Sequence, residues 1–278
     1  MKNFKKKSFF RCVCAVVLCA AFVFCSGCSV AEKLINRRPA QTAPPTVTIM
    51  FPEGSTVTEI AALLEKNSVC SAADFIAQAD NATLLETYGI SIPNPDDRAF
   101  LLEGYIFPDT YEFYVNEGAE KAIVRFLKNT KAKLNAEVVS RSAELGYSVD
   151  EILTVASVIQ EEAGNPEYMG KVSSVLHNRL QSSHLPKLEC DATVFYLRES
   201  VKEYVDAERY EELKELYNTY NFKGLPAGPI CNPGMEAINA ALYPEETDYY
   251  FFASDSEGVY YFGETYEDHL EYCAEAGI

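Results

Sequence analysis

Two adjacent carboxylates, Glu161 and Glu162, end the apolar stretch SVDEILTVASVIQEEAGN at 148–165. Val155, Val158, Ile159 and Glu162 fall at i, i+3, i+4 and i+7, so on a helix Glu162 shares a stripe with apolar side chains. Glu161 is rotated off that stripe by about 100°. A carboxyl set against an apolar wall loses hydration and its pKa rises. Such a group can hold a proton near neutral pH for general-acid work. Glutamates at a helix end are also common as ordinary solvated residues, and the helix alone does not separate the two.

Positioning such a pair requires a well-ended helix and neighbours. Ser148 is a good N-cap, and Asp150 and Glu151 in the first turn suit the helix dipole. Gly164 supplies a stop, and Pro166 opens a second helix over 166–182 with Met169, Val172, Val175, Leu176 and Leu180 as its apolar stripe. His177, Asn178 and Arg179 interrupt that stripe; Asn178 and Arg179 are candidates to bind a sugar or to orient Glu162. Residues 190–196 read as a strand beginning at Asp191, and the charged run 198–216 as a surface helix. The stretch YNTYNFKGLPAGPICNPG at 217–234 is aromatic, polar and stiffened by Pro226, Pro229 and Pro233, which suits a preformed binding loop. A short helix at 235–242, a β-hairpin around SDSEG and a helical tail at 265–275 follow.

Upstream, Val47, Ile49 and Phe51 alternate as a strand. A turn at Pro52-Glu53-Gly54 leads into two short capped helices carrying Ile60, Leu63 and Leu64, then Phe75 and Ile76. Strand, turn and two helices is the shape of a LysM-like module, assigned here to 47–98 with 81–100 as a connection. In 101–113, Tyr105, Phe107, Tyr111 and Phe113 alternate as a half-buried strand, either packed in the core or walling a sugar cleft with their ring faces. A helix spans 118–136.

The chain opens with Lys2, Lys5, Lys6, Lys7 and Arg11, an apolar run over 12–25, and Ser26-Gly27-Cys28. That is the layout of an export signal or membrane anchor over 1–28. Ser26-Gly27-Cys28 resembles the end of a bacterial lipobox, with Cys28 the lipidated residue and Cys25 standing where Leu is usual; a single uncleaved anchoring helix is the alternative. Both place the remainder on the extracytoplasmic face of the cell membrane, behind a proline-containing linker at 29–46. The formal net charge is −17, and since residues 1–28 hold five Lys/Arg and no acid, the rest carries −22. A surface that acidic excludes nucleic acid as a partner. Hydrophobic residues at 48% suffice for a packed core. Five of nine cysteines lie within 12–28, and only Cys70, Cys190, Cys231 and Cys273 remain, too scattered for a metal motif. No metal and no cofactor is expected.

The segments LEGYIFPDTYEF from residue 102, ASVIQEEAG (156–164), VSSVLHNRL (172–180), LECDATVFY (188–196) and YNTYNFKGLPAGPICNPG (217–234) occur in an order and spacing that resembles the endolytic murein transglycosylases of the MltG (YceG-like) family. The resemblance covers roughly 47–275. It implies an α+β fold: a small LysM-like module followed by a mixed helix/antiparallel-sheet catalytic domain at 99–278. The family's acid is the last glutamate of an A-S-x-x-x-x-E pattern, which falls on Glu162. Tyr217, Asn218, Thr219 and Tyr220 would bind the glycan strand, Gly224, Leu225, Pro226 and Gly228 would fix its position with Asn232 beyond them, and Asn178 and Asp191 would serve as substrate-binding or supporting groups.

The implied reaction breaks the bond between N-acetylmuramic acid and N-acetylglucosamine in nascent peptidoglycan, leaving a 1,6-anhydro end and terminating elongation. The partners implied are the glycan strand, the cell membrane and a peptidoglycan synthase. Gln160 stands where the family usually has Glu, Glu189-Cys190-Asp191-Ala192 replaces a common Q-T-D-P, and the chain has room for about one LysM-like half. Three other functions fit the residues: a hydrolase using Glu162 with Asp191 or Asp109, a peptidoglycan-binding lipoprotein without turnover, and a cysteine hydrolase built on Cys190 or Cys231.

Overall fold

The computed structural model describes residues 44–277. The signal, Cys28 and the expected linker up to residue 43 lie outside them, and Thr46 at the linker's end already belongs to a strand. Pro45 onward forms one compact unit. β1 (Thr46–Met50) pairs antiparallel with β2 (Thr110–Tyr114), Thr46 opposite Tyr114 and Met50 opposite Thr110. Between them run α1 (Val57–Lys66), α2 (Ala72–Ala79) and α3 (Ala82–Thr87). The strand that opens the 47–98 segment is therefore closed by one well beyond it.

α4 (Ala119–Lys133) and α5 (Ala136–Leu145) lead to α6 (Val149–Glu162) and α7 (Pro166–Gln181). α8 (Asp191–Tyr196) continues as a π-turn to Val201, and α9 (Ala207–Tyr217) and α10 (Met235–Leu242) follow. The chain ends with the hairpin β3 (Phe251–Ser254) and β4 (Tyr260–Gly263) and the helix α11 (Tyr266–Ala276). Mostly helical with two small antiparallel sheets, the architecture is α+β.

α6 is the centre. Every residue from Ile152 to Ile159 is buried, under α10, α5, α7 and α8. Ser148 starts it with a capping box: its hydroxyl accepts from the Glu151 N–H, and the Glu151 carboxylate accepts from the Ser148 N–H at 2.7 Å. Asp150, read from the sequence only as a first-turn acid suited to the helix dipole, is buried in an ion pair with Arg98 and accepts from the Tyr105 hydroxyl at 2.7 Å. The other end departs as well. Gly164 is not in the left-handed region, and Ala163 is the C-cap.

Other elements differ from the sequence expectation. Residues 190–196 are helical: Thr193, Tyr196, Leu197 and Val201 are the buried positions, a helical spacing that a six-residue β-branched and aromatic run hides. The charged run 198–216 is broken between the π-turn and α9, which Asp206 caps. α3 lies in the expected connection, and Asn135 caps α5 where one longer helix was expected to end. Of the 101–113 stretch only 110–113 is strand, running on to Tyr114. Its aromatics belong to the core: Tyr105, Phe107, Tyr111 and Phe113 are buried, and Phe51, Tyr111 and Phe113 surround Phe126 at centroid distances of 4.7–5.6 Å. None of the four lines a cleft that reaches Glu162.

Candidate active site

α6 delivers Glu162 half-buried and Glu161 exposed, as the helical stripe requires. Glu162 Oε1 accepts from the Ala192 N–H at 3.3 Å, in the first turn of α8. Burial is the main cause holding the Glu162 carboxyl above its ordinary pKa; Ala192 N–H pulls it down, and Asp191 and Glu161 push it up again. Beside it, the Tyr220 hydroxyl donates to Asp191 Oδ1 at 2.9 Å.

Two clefts meet at this point. One, of about 400 Å³, is lined by Thr56, Glu59, Glu161, Phe195 and Glu199. The other, of about 420 Å³, is lined by Arg179, Tyr220, Phe251, Tyr266 and His269. Glu162 and Asp191 line both. The acid thus sits partway along a groove with binding surface on either side, one half acidic and the other largely aromatic. A linear polymer can lie across it and be attacked within its length.

Of the expected ligands, Tyr220, Asp191 and Arg179 reach this groove, Arg179 with its guanidinium donating to the Tyr250, Lys187 and Leu188 carbonyls and to Glu189. The others do not. Asn178 donates both amide hydrogens to the Thr247 and Tyr249 carbonyls at 2.8 Å, fixing the approach to β3. Tyr217 is fully buried against Tyr196, its oxygen accepting from the Ala99 N–H. Asn218 ends α9 and accepts from the Tyr220 N–H. Thr219 is fully buried and its oxygen accepts from the Cys190 N–H at 3.0 Å, holding the start of α8. Gly224, at φ +94°, donates to the Pro186 carbonyl, and Leu225 packs on the core. Pro226 and Gly228 are buried, and a side chain at Gly228 would collide with the Arg98 guanidinium. Asn232 donates to the Ser55 carbonyl and Glu103 Oε1 and accepts from the Ile106 N–H at 2.8 Å. The 217–234 loop is therefore mainly a scaffold, buried at Tyr217, Thr219 and from Gly228 to Asn232 and exposed at Tyr220, Asn221 and Lys223. Its polar side chains looked available for a ligand because the backbone groups they satisfy are distant in sequence.

No pattern in the sequence singles out Glu103. It is wholly buried beneath the acidic cleft, accepting from the Val57 N–H at 3.0 Å, Asn232 Nδ2 at 2.8 Å and the Tyr196 hydroxyl at 3.2 Å. Burial pushes its pKa up to about 8. Asp109, one candidate second carboxylate, is away from Glu162, beside Asn129 and Lys133. Cys190 and Cys231 are buried thiols held protonated by their surroundings, burial above all, which removes them as nucleophiles. All four cysteines of the described residues are free.

The YceG-like family model matches residues 25–275. An endolytic murein transglycosylase of Bacillus subtilis (strain 168) is 33% identical over 234 residues, 80% of this chain and 62% of that protein. An endolytic murein transglycosylase of Streptococcus pneumoniae (serotype 2, strain D39) is 28% identical, over 84% of this chain and 45% of that protein. The chain thus spans less than two thirds of the length of these relatives. A crystal structure of a yceG-like protein from Listeria monocytogenes superposes with a TM-score of 0.69 at 31% identity, covering 83% of this chain and 76% of that one.

Proposed function

The chain belongs to the YceG-like family, and we propose that it is an endolytic lytic transglycosylase of peptidoglycan, with Glu162 as its acid and base. The observation that carries this is the position of Glu162: one half-buried carboxyl, its pKa raised by burial, where two clefts meet. A glycosidase that uses water needs two carboxylates flanking the bond. Here the attacking hydroxyl is the substrate's own. Protonated Glu162 gives its proton to the oxygen linking N-acetylmuramic acid to N-acetylglucosamine, and that C–O bond breaks. The resulting carboxylate then takes the proton from the C6 hydroxyl as its oxygen closes on C1. The 1,6-anhydro ring forms, Glu162 is protonated again, and no water is consumed.

Asp191 and Tyr220 contact the strand at the joint, and the 217–234 scaffold holds them there. The 47–98 segment, with β1, α1, α2 and α3, is the LysM-like module of this reading, and Thr56 and Glu59 at the start of α1 line the acidic cleft. The protein acts at the extracytoplasmic face of the membrane, anchored through Cys28 or an N-terminal helix, and ends nascent strands beside a synthase. Among the described residues no helix is long and apolar enough to cross a membrane.

Asp191 favours a second reading, a hydrolase, because it lines both clefts beside Glu162. Digestion of uncrosslinked strands in ¹⁸O-labelled water separates the two. Transglycosylation gives unlabelled anhydro-muramyl ends from internal cleavage; labelled reducing ends would overturn it.

A further inference from the structure

The end of α6 is finished by a side chain from nearly a hundred residues downstream. With Ala163 at φ −105°, ψ 89° and no left-handed glycine after it, the helix lacks the usual device for satisfying its last carbonyls. The Tyr260 hydroxyl supplies the substitute. It donates to the Glu162 carbonyl at 2.5 Å and accepts from the Gly164 N–H at 3.0 Å. Its ring is stacked on Tyr168 of α7, centroids 4.6 Å apart and 27° from parallel. The hydroxyl is thus held between the backbone of the acid and that of the residue two beyond, by a ring whose own position is fixed.

Resting on the assignment of Glu162 as the acid, we propose that Tyr260 is a positioning residue. Its hydroxyl closes the C-terminus of α6 so that the Glu162 carboxyl stays on the Ala192 N–H at the junction of the two clefts. Tyr260 lies on β4, and its partner strand β3 lines the aromatic cleft. The same contact therefore registers one wall of the groove against the acid.

The test compares Tyr260→Phe, which keeps the stacked ring and removes one oxygen, with Tyr261→Phe. Tyr261 is the next residue of β4, and its hydroxyl contacts Asp255 at the hairpin tip instead of α6. Strand cleavage by Tyr260→Phe is expected to fall in kcat by roughly 10- to 100-fold with KM unchanged, the range that follows from displacing a reacting group by about 1 Å. Tyr261→Phe is expected to match the wild type. Amide exchange reads the same geometry without turnover. The Ala192 N–H lies in the first turn of α8 and is protected by Glu162, so Tyr260→Phe should speed exchange at both Gly164 and Ala192. Faster exchange at Gly164 with Ala192 unchanged, or wild-type kcat in Tyr260→Phe, overturns the proposal. Labelled reducing ends from the wild type would overturn the transglycosylase reading alone, since exchange at Ala192 still decides the role of Tyr260.

Discussion

Replacing Glu103 by glutamine should make the fold less sensitive to alkali. Glu103 is wholly buried and held near pKa 8 by burial, against about 4.5 for an exposed glutamate. Between those values the folded chain keeps a proton that the unfolded chain releases. Stability from this group is complete below pH ~4.5, falls as pH rises towards 8, and is level above it. Each pKa unit is worth about 1.4 kcal/mol, so the loss has a ceiling of about 5 kcal/mol. A glutamine side chain at this position cannot ionise. Its carbonyl oxygen can accept from the Val57 N–H and Asn232 Nδ2, and its amide nitrogen can donate to the Tyr196 oxygen, partners that Glu103 already has. Urea unfolding from pH 4.5 to 9 should find Glu103→Gln near the wild type in acid and more stable, by up to a few kcal/mol, at pH 9. Glu103→Ala should be about 3–5 kcal/mol less stable than Glu103→Gln throughout, because it strands three buried partners. Parallel pH profiles for wild type and Glu103→Gln, or a glutamine variant as unstable as the alanine one, would show that the carboxylate is ionised in the fold and refute the reasoning.

Asp191→Asn removes a negative charge that raises the Glu162 pKa, so the acid should lose its proton at lower pH; the alkaline limb of kcat/KM should move to lower pH in a cleavage assay. Asn232→Ala strands the buried Ile106 N–H and takes one donor each from Glu103 and from the Ser55 carbonyl, which keeps the residue 232 backbone N–H, and should cost about 1–3 kcal/mol in denaturant unfolding. Cys28→Ala should abolish acylation, read as a loss of mass and of partition into detergent; unchanged partition would favour an uncleaved anchoring helix.

The local parts of this molecule were legible in its sequence. Ser148 and Glu151 announced the start of α6, the i, i+3, i+4, i+7 stripe selected Glu162 over Glu161, and SDSEG marked the turn between β3 and β4. What could not be read was long-range partnership. Asn178, Thr219 and Asn232 carry side chains suited to a sugar, yet they satisfy backbone groups brought to them by distant turns. Asp150 read only as a first-turn acid suited to the helix dipole, because Arg98, 52 positions away, is invisible to local pattern. Run length misled at 190–196, where a β-branched and aromatic segment fits a strand or a helix equally until its buried positions are known. Glu103 and Tyr260 gave no sign, since one is a lone glutamate in an aromatic stretch and the other one of several tyrosines in a hairpin.

The most direct test of the central claim, that one carboxyl serves both proton transfers, is the mass of strand ends released from uncrosslinked peptidoglycan by the wild type and by Glu162→Gln. The account predicts anhydro-muramyl ends from the wild type and none from the variant, which cannot give up and retake the proton. Anhydro ends persisting in Glu162→Gln would contradict it and pass the acid to another group of the groove.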